Sequence, residues 1–276
     1  MYGDVMSRSS LVRKIRSVRR EALEVLALFK DIYVMFSGGR DSLVTLHLIS
    51  EVLGKANVKA LFIDTGISTP GLIEYVRDTC KRLNIELTVV KPRYDFFKLV
   101  KAKGFPIIKR RWCKEYLKIR PLKEWISRKD VKDVVLVTGI RRDESWMKSR
   151  AFKLYYHPKF KTTTYAPIFE WSKSDVINYL GEYGLEECPL YKTYGKAYDC
   201  WCTVYKSPSD FAVLALNNPE FFRKFVEAEK ELRKGGSALY YGGKRIYLRD
   251  VARNPKKYLE KYPRKYICPL CRTLLM

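Results

Sequence analysis

The 276-residue chain has two histidines, His47 and His157, and its acidic residues are outnumbered 30 to 54 by basic ones. No apolar run approaches the ~20 residues of a membrane span. The basic stretch from Met1 to Arg20 lacks the apolar segment that follows in a secretory signal. These absences predict a cytoplasmic protein with no membrane partner. Internal repeats and low-complexity linkers are missing as well. The cysteines number seven, an odd count with several close pairs. In a chain of this length that pattern points to metal or redox chemistry more than to a disulfide scaffold.

What the chain has in excess is positive charge: a formal net +24 and a pI of about 9.7. Lys and Arg concentrate in Arg8–Arg20, Lys101–Lys123 and Lys244–Lys265. Phe105, Trp112, Tyr116, Trp125, Tyr258, Tyr262 and Tyr266 interleave with them. Such surfaces attract polyanions and stack bases, so nucleic acid, tRNA above all, is an expected partner. The alternative is a thermophile's charged surface, although those usually balance Lys with Glu.

The most informative stretch is Ser37-Gly38-Gly39-Arg40-Asp41-Ser42. An apolar run, Asp31 to Phe36, precedes it and reads as a buried strand, and an amphipathic run from Asp41 to Leu53 reads as a helix. Glycines between a strand and a helix N-terminus let the backbone approach an anion, towards which the first-turn N–H groups and the helix dipole point. Ser37 and Ser42 add hydroxyls. Asp41 can cap the helix or hold a magnesium ion. The alternative is a capped surface turn. The string is neither GxxxxGK[ST] nor GxGxxG. It resembles the pyrophosphate loop of the adenine nucleotide alpha-hydrolase (PP-loop) superfamily, whose members split ATP between the α and β phosphates.

Along the chain, Leu11–Lys30 reads as an N-terminal basic helix. Strands at Val58–Asp64, Ile85–Val90 and Val134–Ile140 then alternate with helices at Gly71–Asn84, Tyr94–Lys103, Lys114–Arg128 and Ser172–Tyr183, with a short apolar run at Ala166–Phe169. This alternation predicts an α/β fold with a parallel, doubly wound sheet and a ligand crevice beyond the carboxyl ends of its strands. Three polar turns converge there: the Ser37 loop, Asp64-Thr65-Gly66 and Gly139-Ile140-Arg141. Asp64 suits a ribose or a hydrated magnesium ion; Gly139 lets a ligand approach, and Arg141, Arg142 and Arg150 make oxyanion clamps. Turn formation and a charge-paired loop are the plainer alternatives. After Cys202 the pattern changes to helices at Ser207–Leu216 and Asn218–Arg233, a strand at Leu239–Tyr241 and a helix at Asn254–Tyr262. The expected units are 1–30, 31–206 and a basic C-terminal module, 207–276.

The order of these motifs, continued by Pro167-Ile-Phe-Glu-Trp171, Asp175-Val-Ile-x-Tyr-Leu180 and Pro189-Leu-Tyr191, is similar to that of the phosphoadenosine phosphosulfate (PAPS) reductase family of PP-loop proteins over roughly 30–206. The resemblance implies a mostly parallel five-stranded sheet with Asp64 and Thr65 near adenosine, and the three arginines near phosphate or sulfate. Cys113 and the Cys200-Trp-Cys202 pair stand where some members bind a four-iron cluster. Cys268-Pro-Leu-Cys271 adds a true Cys-x-x-Cys. These five thiols can bind iron–sulfur or zinc, with one to spare as a sulfur carrier or nucleophile; reduced thiols or a Cys268–Cys271 disulfide are the alternatives. Cys80 and Cys188 read as structural, and His47 as packed or surface.

Two departures rank the activities. Sulfonucleotide reductases usually carry a degenerate loop, yet this chain has the full string. The Glu-Cys-Gly-x-His that carries their attacking cysteine is absent from the sequence. The first expectation is therefore ATP splitting coupled to sulfur transfer, with magnesium, a sulfur-donor protein and a tRNA acceptor. The second is reduction of PAPS or adenylyl sulfate (APS) through Cys268 or Cys271. The third is a non-catalytic RNA-binding protein.

Overall fold

The computed structural model describes residues 2–144, 152–232 and 236–262. Helix α1 (Tyr2–Leu26) buries Leu11, Ile15, Val18, Ala22 and Leu26, a stripe at three- and four-residue spacing. It stops four residues short of the expected Lys30, because the N–H groups of Lys30 and Asp31 both turn to the Asp133 carbonyl. Strand β1 (Asp31–Met35) follows, then α2 (Arg40–Leu53), β2 (Val58–Ile63), α3 (Leu72–Leu83), β3 (Glu86–Val90) and α4 (Phe96–Lys103). Next, α5 (Trp112–Lys114) runs through a π-helical turn (Glu115–Ile119) into α6 (Arg120–Ile126). Pro121 has no N–H to offer the Leu117 carbonyl, which accounts for the wider turn. Strands β4 (Val134–Val137), β5 (Leu154–His157) and β6 (Thr162–Tyr165) complete the sheet.

The strand order is β3-β2-β1-β4-β6-β5. The first five of these are parallel, and β5 adds an antiparallel edge through a hairpin with β6. The sheet thus has one more strand than expected. The apolar run Ala166–Phe169 is not a strand but the loop beyond β6. The strand itself is the threonine-rich Thr162–Tyr165 before it.

Alternate strand residues serve opposite faces. Ile32, Val34, Ala60, Phe62, Val135 and Val137 pack beneath α1, α2 and α3. Tyr33, Leu61, Ile63, Val134 and Leu136 pack against Ile119, Leu122 and Ile126. Helix α7 (Lys173–Glu182), opened by a Ser172–Asp175 capping box, joins the first face; α8 (Leu190–Tyr194) follows it.

The remaining elements are α9 (Pro208–Asn217), α10 (Pro219–Lys230), the hairpin β7 (Leu239–Tyr241) and β8 (Lys244–Ile246), α11 (Leu248–Arg253) and α12 (Pro255–Lys261). They share a core with earlier residues. Phe211, Phe225 and Leu248 pack in one cluster with Phe96, Trp112, Leu117 and Trp201.

Candidate functional site

Strand order reverses at β1, which has β2 on one side and β4 on the other. The crevice beyond the carboxyl ends of β1 and β4 is the switch point of the sheet, where ligands of this architecture bind. The Ser37–Ser42 loop leaves β1 there. Gly38 has φ +78, a left-handed conformation that L side chains resist, and a Cβ on it would stand 2.6 Å from Leu72 Cδ1. Gly39 occupies the N-cap position of α2 and supplies no capping side chain. The serines brace the turn instead: the Ser37 N–H donates to Ser42 Oγ at 3.3 Å, and Ser42 Oγ donates to the Gly39 carbonyl at 2.9 Å. The first N–H groups of α2, which have no intrahelical acceptors, and the positive end of its dipole face the crevice.

Strand β4 closes the other side. Gly139 lies so near the start of α2 that a Cβ would meet the Asp41 carbonyl carbon and oxygen at 2.7 Å and the Ser42 nitrogen at 2.9 Å. Two residues on, the buried Arg141 guanidinium donates through Nε to Asp41 Oδ1 at 3.0 Å. Its Nη1 bonds Asp143 and reaches the Trp171 carbonyl at 3.4 Å. Arg141 therefore holds the first turn of α2 to the β4 and β6 loops. Arg142 points outward, pairs with Glu170 and lies over the Phe169 ring. Arg150 lies outside the described residues.

The variable position of the loop, Arg40, is fixed from α8. Its backbone N–H donates to the Tyr191 hydroxyl at 3.2 Å, its guanidinium stacks 4.2 Å from the Tyr191 ring, and its Nε bonds Glu187. That last bond raises the Arg40 pKa, while burial raises that of Tyr191, so both keep their protons. Pro189-Leu-Tyr191 is a motif visible in the sequence, but nothing in the spacing ties it to the loop.

Beyond β2, Asp64 Oδ1 accepts from the Gly66 N–H at 3.0 Å, and Lys91 Nζ lies 3.8 Å from its other oxygen. Thr65 is buried, and its hydroxyl donates to the Asp199 carbonyl at 2.9 Å. The role of Thr65 here is to anchor the 198–201 segment. Ser68, Thr69 and Ile67 bond the same segment, and Trp201 Nε1 donates to Thr69 Oγ1 at 2.9 Å. The Asp199 carboxylate accepts from Lys118 Nζ at 2.7 Å, with the lysine side chain only 5% exposed. Neither partner of this ion pair stood out in the sequence.

Cys113, Cys200 and Cys202 are buried in the second core beside Trp112 and Trp201, and the Cys202 N–H donates to Cys200 Sγ at 3.3 Å. Among the described residues no three His, Cys, Asp or Glu side chains form a group that could hold a metal ion. Cys268 and Cys271 lie outside the described residues. Burial pushes the Cys80 thiol up to about 12 and Cys188 up to about 11, which makes both poor nucleophiles. His47 is buried on α2, where Nδ1 lies 2.9 Å from the Tyr179 hydroxyl.

The aromatics expected to stack bases lie largely elsewhere. Phe105 and Trp112 are buried, Trp125 packs edge-on against Tyr33, and Tyr258 and Tyr262 stack on each other against the second core. Trp112, Trp125 and Tyr258 lie on helices, and Phe105 lies in the loop after α4. Tyr266 is not among the described residues. No helix among the described residues is long and apolar enough to cross a membrane.

Residues 31–206 match the family model of the phosphoadenosine phosphosulfate reductase domain. An uncharacterized protein of Methanocaldococcus jannaschii is 36% identical over 171 residues, 62% of this chain and 35% of its own length. The adenosine 5'-phosphosulfate reductase of Geobacillus sp. is 28% identical over 155 residues, 54% of this chain and 63% of that protein. The chain thus spans about a third to two thirds of the length of such relatives. In fold it is similar to the phosphoadenylyl-sulfate reductase of Candida auris, with a TM-score of 0.50 at 20% identity, covering 63% of this chain and 83% of that one. It is also similar to the FMN adenylyltransferase of Candida glabrata, solved with FAD and inorganic pyrophosphate, with a TM-score of 0.51 at 14% identity, covering 67% and 62%. A complete pyrophosphate-type loop at the switch point, on a sheet of this order and within the matched segment, leads to one conclusion: the chain belongs to the phosphoadenosine phosphosulfate reductase domain family.

Proposed function

We propose that this protein binds ATP, splits it between the α and β phosphates, and uses the resulting adenylate to direct sulfur onto an acceptor, with tRNA the favoured acceptor. The observation that carries this reading is the complete Ser37–Ser42 loop at the switch point, with Gly38 at φ +78 and no capping side chain at Gly39. In this reading the N–H groups of Gly38 and Gly39 and the start of α2 hold the β and γ phosphates. An acceptor oxygen attacks the α phosphorus, the bond from that phosphorus to the bridging oxygen breaks, and pyrophosphate leaves. One carboxylate together with phosphate oxygens and water is a donor set that magnesium takes, and Asp41 is the residue that would hold the ion. Bound there, magnesium would offset charge on the departing pyrophosphate. Arg141 acts by orienting Asp41, and Arg142 can swing from Glu170 to an anion. Asp64 faces the ribose. Sulfur then arrives as a cysteine persulfide on the protein or on a donor protein. Its terminal sulfur displaces AMP, and a second thiol frees the thiolated acceptor by forming a disulfide.

Relatives named as adenosine 5'-phosphosulfate reductases favour a second reading. In it a cysteine attacks the sulfur of APS or PAPS, the nucleotide leaves, and a second thiol releases sulfite with formation of a disulfide. Two assays separate the readings: pyrophosphate release with ATP, magnesium and tRNA, and sulfite release from the sulfonucleotide with a thiol donor. Cys268→Ser and Cys271→Ser are expected to abolish sulfite release if the second reading holds. A protein that does neither yet binds RNA is a non-catalytic RNA-binding protein.

A further inference from the structure

We infer that the outer face of α1 and the exposed side of β5 together form a binding platform for an unpaired RNA segment; this rests on the RNA-acceptor reading above. On α1, Arg13, Arg16 and Arg20 lie at i, i+3 and i+7, on one stripe opposite the buried Leu11–Leu26 stripe. All three are exposed, and none pairs with an acid among the described residues. The flank of α1 beside this stripe reaches the sheet edge, because Glu21 bonds Lys153 at the start of β5.

On β5, Leu154 and Tyr156 stand opposite Tyr165 and Thr163, on the sheet face that α1 covers. Among the described residues no element lies over them: Phe152, Leu154 and Tyr156 are 72%, 46% and 62% exposed. An arginine stripe beside exposed rings is what single-stranded nucleic acid needs, cations for its phosphates and flat faces for its bases. A protein partner would use the rings but has no need of three unpaired arginines.

The platform also leads to the crevice. Lys14 pairs with Asp175 at 2.5 Å, and Asp175 caps α7 through Ser172, the neighbour of Trp171. The Trp171 carbonyl accepts from Arg141, which holds Asp41. RNA lying along α1 would therefore arrive at the rim of the nucleotide site.

The test is fluorescence anisotropy with a labelled oligouridylate and with unfractionated tRNA, over a salt series, using the full chain. In R13A/R16A/R20A the slope of log K against log salt is expected to fall by about 2, since each single-strand phosphate contact contributes roughly 0.7. F152A and Y156A are expected to weaken binding about 5- to 150-fold each, the range for one stacked base, with the slope unchanged. Y156F restores binding if the ring stacks. Unchanged melting temperatures show that the exposed positions leave the fold intact. If the wild type binds RNA and these variants bind it equally well, the platform is refuted while the RNA reading stands. If the wild type binds no RNA, both fall. Binding of phosphatidylserine vesicles through the same residues, without RNA binding, overturns the proposal in favour of a lipid surface.

Discussion

An alanine at Gly139 tests the switch-point geometry most directly. Gly139 does not have a positive φ, so the substitution carries no conformational cost of its own. Its Cβ would stand 2.7 Å from the Asp41 carbonyl, against about 3.4 Å for ordinary contact, and the atoms it meets are all backbone. The first turn of α2 must therefore retreat by about 0.7 Å. Overpacking of this kind costs about 1–3 kcal/mol. For a chain of this size that lowers the melting temperature by roughly 2–10 °C. A shift approaching 1 Å in a positioning element costs on the order of 10²-fold in rate. Gly104→Ala serves as the matched control. Gly104 has φ +75 with nothing within 4 Å of its Cβ, so the loss there is purely conformational, again about 1–3 kcal/mol. Scanning calorimetry and ATP titration of the two variants separate stability from site geometry. Similar melting temperatures are expected, with ATP binding lost only in G139A. If G139A binds ATP within about threefold of wild type, or G104A loses binding equally, the close approach is not what shapes the loop.

Three further outcomes follow from the same geometry. Arg141→Lys cannot span Asp41, Asp143 and the Trp171 carbonyl as a planar fork does; it should weaken ATP binding tenfold or more in a titration, and Arg141→Ala should cost about 1–3 kcal/mol in urea, less than a fully buried pair because Asp143 is half exposed. Lys118→Met leaves the Asp199 carboxylate largely buried without the Lys118 cation and should cost about 3–5 kcal/mol, whereas K118M/D199L should recover part of that; equal urea midpoints for K118M and wild type would dismiss the pair. Burial, with Lys159 and Lys114 nearby, lowers the His157 pKa to about 4. Its neutral form thus contributes stability that is whole above pH 6.5 and is lost as the pH falls towards 4, up to about 3 kcal/mol, and H157F should flatten that part of a stability–pH profile.

The parallel sheet and its loop were legible because both are local. Apolar runs such as Asp31–Phe36 and Val134–Val137 are too short for a helix and rich in β-branched and aromatic residues, which marks them as buried strands, and Ser37–Ser42 carries its own turn chemistry. The β5–β6 hairpin was missed because Leu154–His157 and Thr162–Tyr165 are short and rich in Tyr and Thr, not aliphatic. What closes the loop was illegible for a different reason. Tyr191 meets Arg40 across 151 positions and Asp199 meets Lys118 across 81, and no periodicity encodes such pairings. Phe105 and Trp112 look identical in sequence whether they face solvent or a core, so only the packing of α4 and α10 around them decides.

The pairing of charges around Ser37–Ser42 has an electrical consequence. In a chain of net +24, the described residues of the crevice are nearly balanced: Arg40 is matched by Glu187, Arg142 by Glu170, and Arg141 by both Asp41 and Asp143. Among these residues little surplus cation remains to attract an anion from a distance. In the proposed reading, phosphate recognition thus falls to backbone dipoles at contact range, which dissolved salt screens weakly. On the proposed platform the arginines of α1 would act through long-range attraction, which salt suppresses. Ionic strength becomes a separate control for each ligand: raising it should strip a polyanion from the outer surface while the small nucleotide stays seated.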